Sequence, residues 1–192
     1  MTVIRNIIHA IAVVSLAAGC ASAQLTWDKH ATGIPIANPS AIQGKQDDVL
    51  RQVKLLVDNN HITLASETRD EQRGVVVLVT EPQTFARGIV ATSQVGHFAV
   101  VPNRYASNLI QGRVAITIEI TPSSPTTSLV GVATKFEGLL QAAGQTWTVF
   151  PSRGLLEDRV LKHLVMGVTG QAFDDVKPED MILEPKSEDS GS

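Results

Sequence analysis

The chain has 192 residues, of which 43% are hydrophobic, 18% charged and 4% aromatic, a length that suits one domain. A formal charge of −3 leaves no basic excess of the kind that nucleic acid selects. A single cysteine excludes an internal disulfide framework and any cysteine-rich zinc site.

The N-terminus carries the sharpest signal. Arg5 lies in a short polar start, and Ile7 to Ala18 is apolar apart from His9 and Ser15. This is the positive n-region and short apolar h-region of a secretory leader, too short for a membrane-spanning helix of roughly 20 residues. Leu16-Ala17-Ala18-Gly19-Cys20 then places small residues ahead of the one cysteine. The segment resembles the lipobox of bacterial lipoproteins, departing from it at Ala17, where that family most often has leucine. The resemblance implies removal of residues 1–19 as a lipoprotein signal peptide, diacylation of the Cys20 thiol and acylation of its new amine. Neither Ala21 nor Ser22 is acidic, which by analogy with enterobacterial sorting favours the outer membrane, facing the periplasm. The competing reading is an ordinary leader cut after Ala21-Ser22-Ala23, an A-x-A site, giving a soluble periplasmic product from Gln24.

Residues 20–42 read as a flexible tether, with Gly33, Pro35 and Pro39 and no helical period. The first helix is expected over 45–58, where Val49, Leu50, Val53, Leu56 and Val57 form one stripe. Asp47 and Asp48 stand in its first turn, and Asn59-Asn60 supplies a left-handed terminator. Strands follow at 62–66 and 74–80, separated by the polar run Glu67 to Arg73 as a turn. The second strand, GVVVLVT, is continuously apolar or β-branched, hence expected to be buried on both sides.

Residues 82–112 are the least patterned. At least one strand is expected there, with Ile89-Val90 and Phe98 to Val101 as candidates. Strict alternation at Val114, Ile116, Ile118 and Ile120 predicts a strand over 113–121 with one wet face. Its antiparallel partner is expected at 127–140, with Val130, Val132, Thr134 and Phe136 inward. A short strand at 146–150 and a helix over about 153–167, with Ser152 as its N-cap, close the domain. Residues 171–192 hold seven acidic and two basic residues and read as a disordered acidic tail.

The sum is a single α+β domain over 43–170, an antiparallel β-sheet with two helices packed on one face. Over 43–168 the order of elements resembles small domains of envelope lipoproteins, such as those of the C-component of the outer-membrane β-barrel assembly machine. That likeness is one of element order, and it implies a non-enzymatic interaction domain without transferring any residue-level site.

No catalytic constellation stands out. His30, His61, His97 and His163 lie at least 31 positions apart and offer no i, i+2 or i, i+4 metal pair, and no G-x-S-x-G, Walker A or H-E-x-x-H motif is present. Asp70-Glu71 between Arg69 and Arg73 read as a solvated turn. The expectation is therefore no catalytic, metal-binding or cofactor-binding residues. The densest cluster of recognition-type side chains is His97, Phe98, Asn103, Arg104 and Tyr105, a candidate partner-binding loop. These readings together describe a lipid-anchored, non-catalytic interaction or scaffold protein of the cell envelope. Its partners would be the membrane, through the lipid on Cys20, and another envelope protein, with no nucleic acid. The alternative is a periplasmic carrier of a small apolar ligand, held between sheet and final helix.

Overall fold

A computed structural model of the chain describes residues 33–141, 144–180 and 182–183. The leader, Cys20, Trp27 and the last residues of the acidic tail lie outside them. The elements run β1 (Ser40–Gln43), α1 (Gln46–Asn59), β2 (Leu64–Asp70), β3 (Val75–Thr80), β4 (Gln83–Arg87), α2 (Ala91–Phe98) and α3 (Asn103–Ala106). They continue with β5 (Leu109–Ser124), β6 (Thr127–Leu140), β7 (Thr146–Phe150) and α4 (Leu155–Thr169). The α+β class with an antiparallel sheet is as the sequence predicts.

The β5–β6 hairpin is the spine. Val114 faces Phe136, Ile116 faces Thr134, Ile118 faces Val132 and Ile120 faces Val130, so the alternation in each strand feeds one shared buried face. On one flank β5 pairs with β3 over 117–120 and with β4 over 111–114, and β2 follows β3. On the other flank β6 pairs with β1 over 127–130 and with β7 over 136–140. The sheet thus forks at both flanks. At each fork a side chain replaces the missing ladder partner: Thr80 Oγ1 accepts from the Ile116 amide at 2.9 Å, and Asn38 bonds both backbone groups of Val132.

Helices α1, α2 and α4 lie on the face carrying these aliphatics. Val49, Leu50, Val53 and Val57 of α1 and Leu156, Val160, Leu161 and Leu164 of α4 join them in one core. The first two turns of α4 are tied to the sheet through Glu157, which accepts from Thr134 Oγ1 at 2.5 Å and Ser152 Oγ at 2.9 Å. Phe98, at the end of α2, stacks on Phe136 with ring centroids 6.1 Å apart.

Several expectations are corrected. From Ile36 on, the tether is docked: the Ile36 amide donates to Asp158, and β1 joins the sheet with Ile42 buried. Glu67 to Asp70 extend β2 because their backbone pairs with β3, despite their polarity. Ile89-Val90 belongs to a 3₁₀ turn, and Phe98 to a helix. β3 is buried on one side only, through Val76, Leu78 and Thr80. His61, not Asn59 or Asn60, takes the left-handed backbone after α1. Gly154, in the left-handed region, takes the N-cap position of α4 in place of Ser152, which lies two residues upstream with its Oγ accepting from the Gly154 amide.

The acidic tail is also corrected over its described part. Residues 171–180 and 182–183 lie back against α4 and the end of α1, with Val176 and Ile182 buried. Asn60 Oδ1 accepts from the Ile182 amide at 2.7 Å, and Arg159 donates to the Ile182 carbonyl at 3.2 Å. Lys162 Nζ, 1% exposed, holds Asp158 at 2.8 Å and Asp175 at 2.6 Å. Sparse apolar residues and one buried cation thus dock a segment whose composition alone favours solvation.

Candidate functional site

The sheet face opposite the helices carries the candidate site. Among the described residues no element packs on it. Residues paired side by side share a face, so the register places Val75, Val77 and Val79 of β3 there. With them lie Ala115, Thr117 and Glu119 of β5 and Leu129, Gly131, Ala133 and Lys135 of β6. Leu129 is 36% exposed, and Val149 on β7 is 57% exposed.

A face meant only for water alternates polar side chains along each strand. β5 does so through Gln111, Arg113, Thr117, Glu119 and Thr121, but β3 presents three valines in a row. Small residues at 115, 131 and 133 leave the middle of this face low. A shallow open groove of about 560 Å³ lies at the β5–β6 turn end, its walls including Thr68, Asp70, Val75, Val77 and Glu119.

Charges of both signs gather at the two ends of the strands. At the β4–β7 end, Arg113 Nε donates to Glu137 at 2.8 Å, and Lys135 Nζ lies 2.8 Å from the same carboxylate. The Arg113 guanidinium also covers the Trp147 ring at 3.8 Å. Burial pushes the Glu137 carboxyl up, but hydrogen bonds and charges from Lys135 and Arg113 outweigh it and hold it below the usual glutamate range. Two cations share one anion there. At the opposite end Glu119 and Asp70 line the groove together with Arg69 and Arg73, and Asp70 Oδ1 accepts from the amides of Gln72 and Arg73, closing the β2–β3 turn.

The candidate loop is divided by the fold. His97 and Phe98 close α2, whereas Asn103, Arg104 and Tyr105 form α3. Phe98 belongs to the core, and the His97 ring meets it edge-on at 4.7 Å. Tyr105 is half-buried, 5.9 Å from Phe150, with the Arg104 guanidinium 4.7 Å over its ring. His97, Asn103 and Arg104 remain at the surface, so the aromatic residues of the segment anchor it and its polar residues face outward.

Among the described residues no group of three or more histidine, cysteine, aspartate or glutamate side chains is placed to hold a metal ion. No described helix is long and apolar enough to cross a membrane. The aliphatics of 114–120 and 130–136 on the helix side pack directly against α1 and α4 in one cluster. In comparisons with known proteins, no family model, curated protein or solved structure matches this chain.

Sequence reading missed the uncovered face because its two halves come from different signals. The β5 alternation was legible, but the outward valines were hidden inside an unbroken apolar run. Only the burial of Val76 and Leu78 between them separates the two sides.

Proposed function

We propose that this protein is a lipid-anchored cell-envelope protein whose domain faces the periplasm and serves as a non-catalytic interaction module, with the uncovered sheet face as its docking surface. The observation that carries the docking role is the row Val75, Val77 and Val79 on the side that no described helix covers. The three valines are half-buried among their strand neighbours, with the exposed Leu129 on the same face, and contiguous apolar surface rimmed by polar residues marks association sites. The anchoring role rests on the lipobox-like run ending in Cys20. Two or three acyl chains there would give stable attachment, since each buried CH₂ contributes about 0.8 kcal/mol.

The test combines cell fractionation with intact mass, comparing wild type with Cys20→Ser. The expected result is a membrane-bound wild type bearing a diacylglyceryl cysteine at its N-terminus and a variant released from the membrane. A soluble wild type starting at Gln24 would overturn the anchor and favour a diffusible periplasmic protein.

A further inference from the structure

We propose that the C-terminal tail is a latch for the N-terminal arm: residues 33–37 and the returning tail dock and undock as one unit around Lys162, so that release of the tail frees the arm. Asp158 on α4 uses its two oxygens separately, Oδ1 accepting from the Ile36 amide of the arm at 2.8 Å and Oδ2 lying 2.8 Å from Lys162 Nζ. Lys162 Nζ also holds Asp175 of the tail at 2.6 Å. Asp175 in turn lies against the Gly33 backbone, where an added Cβ would strike its carboxylate. The arm therefore meets the tail twice, directly at Gly33 and through Asp158 and Lys162.

The arm has little of its own to hold it. Between Gly33 and Asn38 runs Ile-Pro-Ile-Ala, of which Ile34 is 88% exposed and Ile36 is partly buried against the core. Ordering a backbone costs entropy at every residue, and one amide bond with one partly buried side chain offsets little of that over five residues. Beyond this stretch the chain has separate attachments, since Asn38 bonds Val132 and β1 pairs with β6. The tail is better fixed: Val176 and Ile182 are buried, and Asn60 and Arg159 bond the Ile182 backbone. The Phe173 ring centre lies 5.8 Å from Lys162 Nζ, helping to cover it. With the tail lifted, water reaches Lys162 and Asp158 and competes for the carboxylate that the Ile36 amide uses.

The consequence for the whole molecule rests on the anchoring reading above. Cys20 lies 13 residues before Gly33 and 18 before Asn38. Undocking therefore adds five residues to the chain available between lipid and domain, up to about 17 Å of reach at roughly 3.4 Å per residue. The state of the tail thereby sets how far the domain can stand from the membrane.

The experiment is hydrogen exchange followed by mass spectrometry on the full-length protein in mild detergent, comparing wild type with Asp175→Ala, Gly33→Ala and Glu179→Ala. Coupling between two segments is reciprocal, so each end is perturbed and the other is read. Asp175→Ala is expected to speed exchange in the segment containing Ile36 about tenfold, and Gly33→Ala to speed exchange around Ile182 by about the same factor. Glu179→Ala, at an exposed carboxylate of the same tail, is expected to match wild type. Unchanged protection of the β5–β6 hairpin reports an intact fold, and Gly33→Ala decides alone should Asp175→Ala lose it. Faster tail exchange in Asp175→Ala with Ile36 unchanged overturns the proposal, as does a Gly33→Ala variant whose tail stays protected. The readout needs no lipid, so a soluble product starting at Gln24 would remove the change in reach and leave the latch standing. Uncoupled exchange in a lipidated protein would remove the latch and leave the anchor.

Discussion

The side chain of Asn38 completes both backbone groups of Val132: Nδ2 donates to the carbonyl at 2.6 Å, and the Val132 amide donates to Oδ1 at 3.0 Å. It acts as a one-residue strand at the fork between β1 and β7. Asn38→Leu removes donor and acceptor together and leaves a backbone pair without protein partners, at a cost of about 1–3 kcal/mol. Asn38→Asp keeps only the acceptor and is expected to fall between. Urea unfolding measures both, and a midpoint unchanged in the leucine variant would contradict the assignment.

The docked tail depends on one buried cation. Burial pushes the Lys162 ammonium down, but the hydrogen bonds and charges of Asp158 and Asp175 outweigh it and raise it above its usual value. The stability from this triad is present below the ordinary lysine range and is lost as pH rises through the higher folded value. Replacing both carboxylates by alanine strands a buried charge and is expected to cost about 3–5 kcal/mol. Lys162→Met leaves only the partly exposed aspartates and is expected to cost less. Limited proteolysis between residues 171 and 183 should accelerate most in the double-alanine variant.

His163 gives the molecule an acid-sensitive point. Burial lowers its imidazole below the usual value, Arg159 adds to this and Asp180 opposes it. Its Nε2 is enclosed without a hydrogen-bond partner. Because the folded state favours the neutral ring, stability is complete above the ordinary histidine value of about 6.5. It declines as pH falls from there through the lower folded value. His163→Phe is expected to flatten thermal stability across pH 5–7. A slope unchanged by that substitution would assign the acid sensitivity elsewhere.

Two glycines at the α2–sheet contact should respond with opposite signs. A Cβ on Gly112 would collide with Val95 of α2 and press on Ala86 at 3.2 Å, so Gly112→Ala is expected to cost about 1–3 kcal/mol. Gly96 sits within α2 with open space around its missing Cβ, so Gly96→Ala is expected to gain up to about 1 kcal/mol from helix propensity. Calorimetry of the two variants checks the pair.

The strands that sequence reading placed well are those whose periodicity and partners are both local. β6 and β7 are found at the expected residues, and β5 contains the expected alternation and extends beyond it. Elements that depend on distant partners were not legible. β1 is four residues long and becomes a strand by pairing with residues 127–130. The polar half of β2 has a local partner in β3, and it was missed because its side chains carry no apolar alternation. Ala91–Phe98 forms a helix with Ala91, Val95 and Phe98 buried, a pattern too short to rise above the surrounding sequence. Lys162 is buried within the apolar stripe of α4, held by Asp158 one turn before it and by Asp175 of the returning tail, and the second partner was not legible in the sequence. The uncovered face needed the register itself, since Val75, Val77 and Val79 differ from Val76 and Leu78 in direction and not in chemistry.

The most direct test of the docking role is photo-crosslinking in living cells, with a photoreactive residue placed singly at Thr117 on the uncovered face and at Leu55 on the exposed side of α1. The account requires a strong adduct from Thr117 and little or none from Leu55. Adducts from Leu55 with none from Thr117 would place the docking surface on the helix side and contradict it.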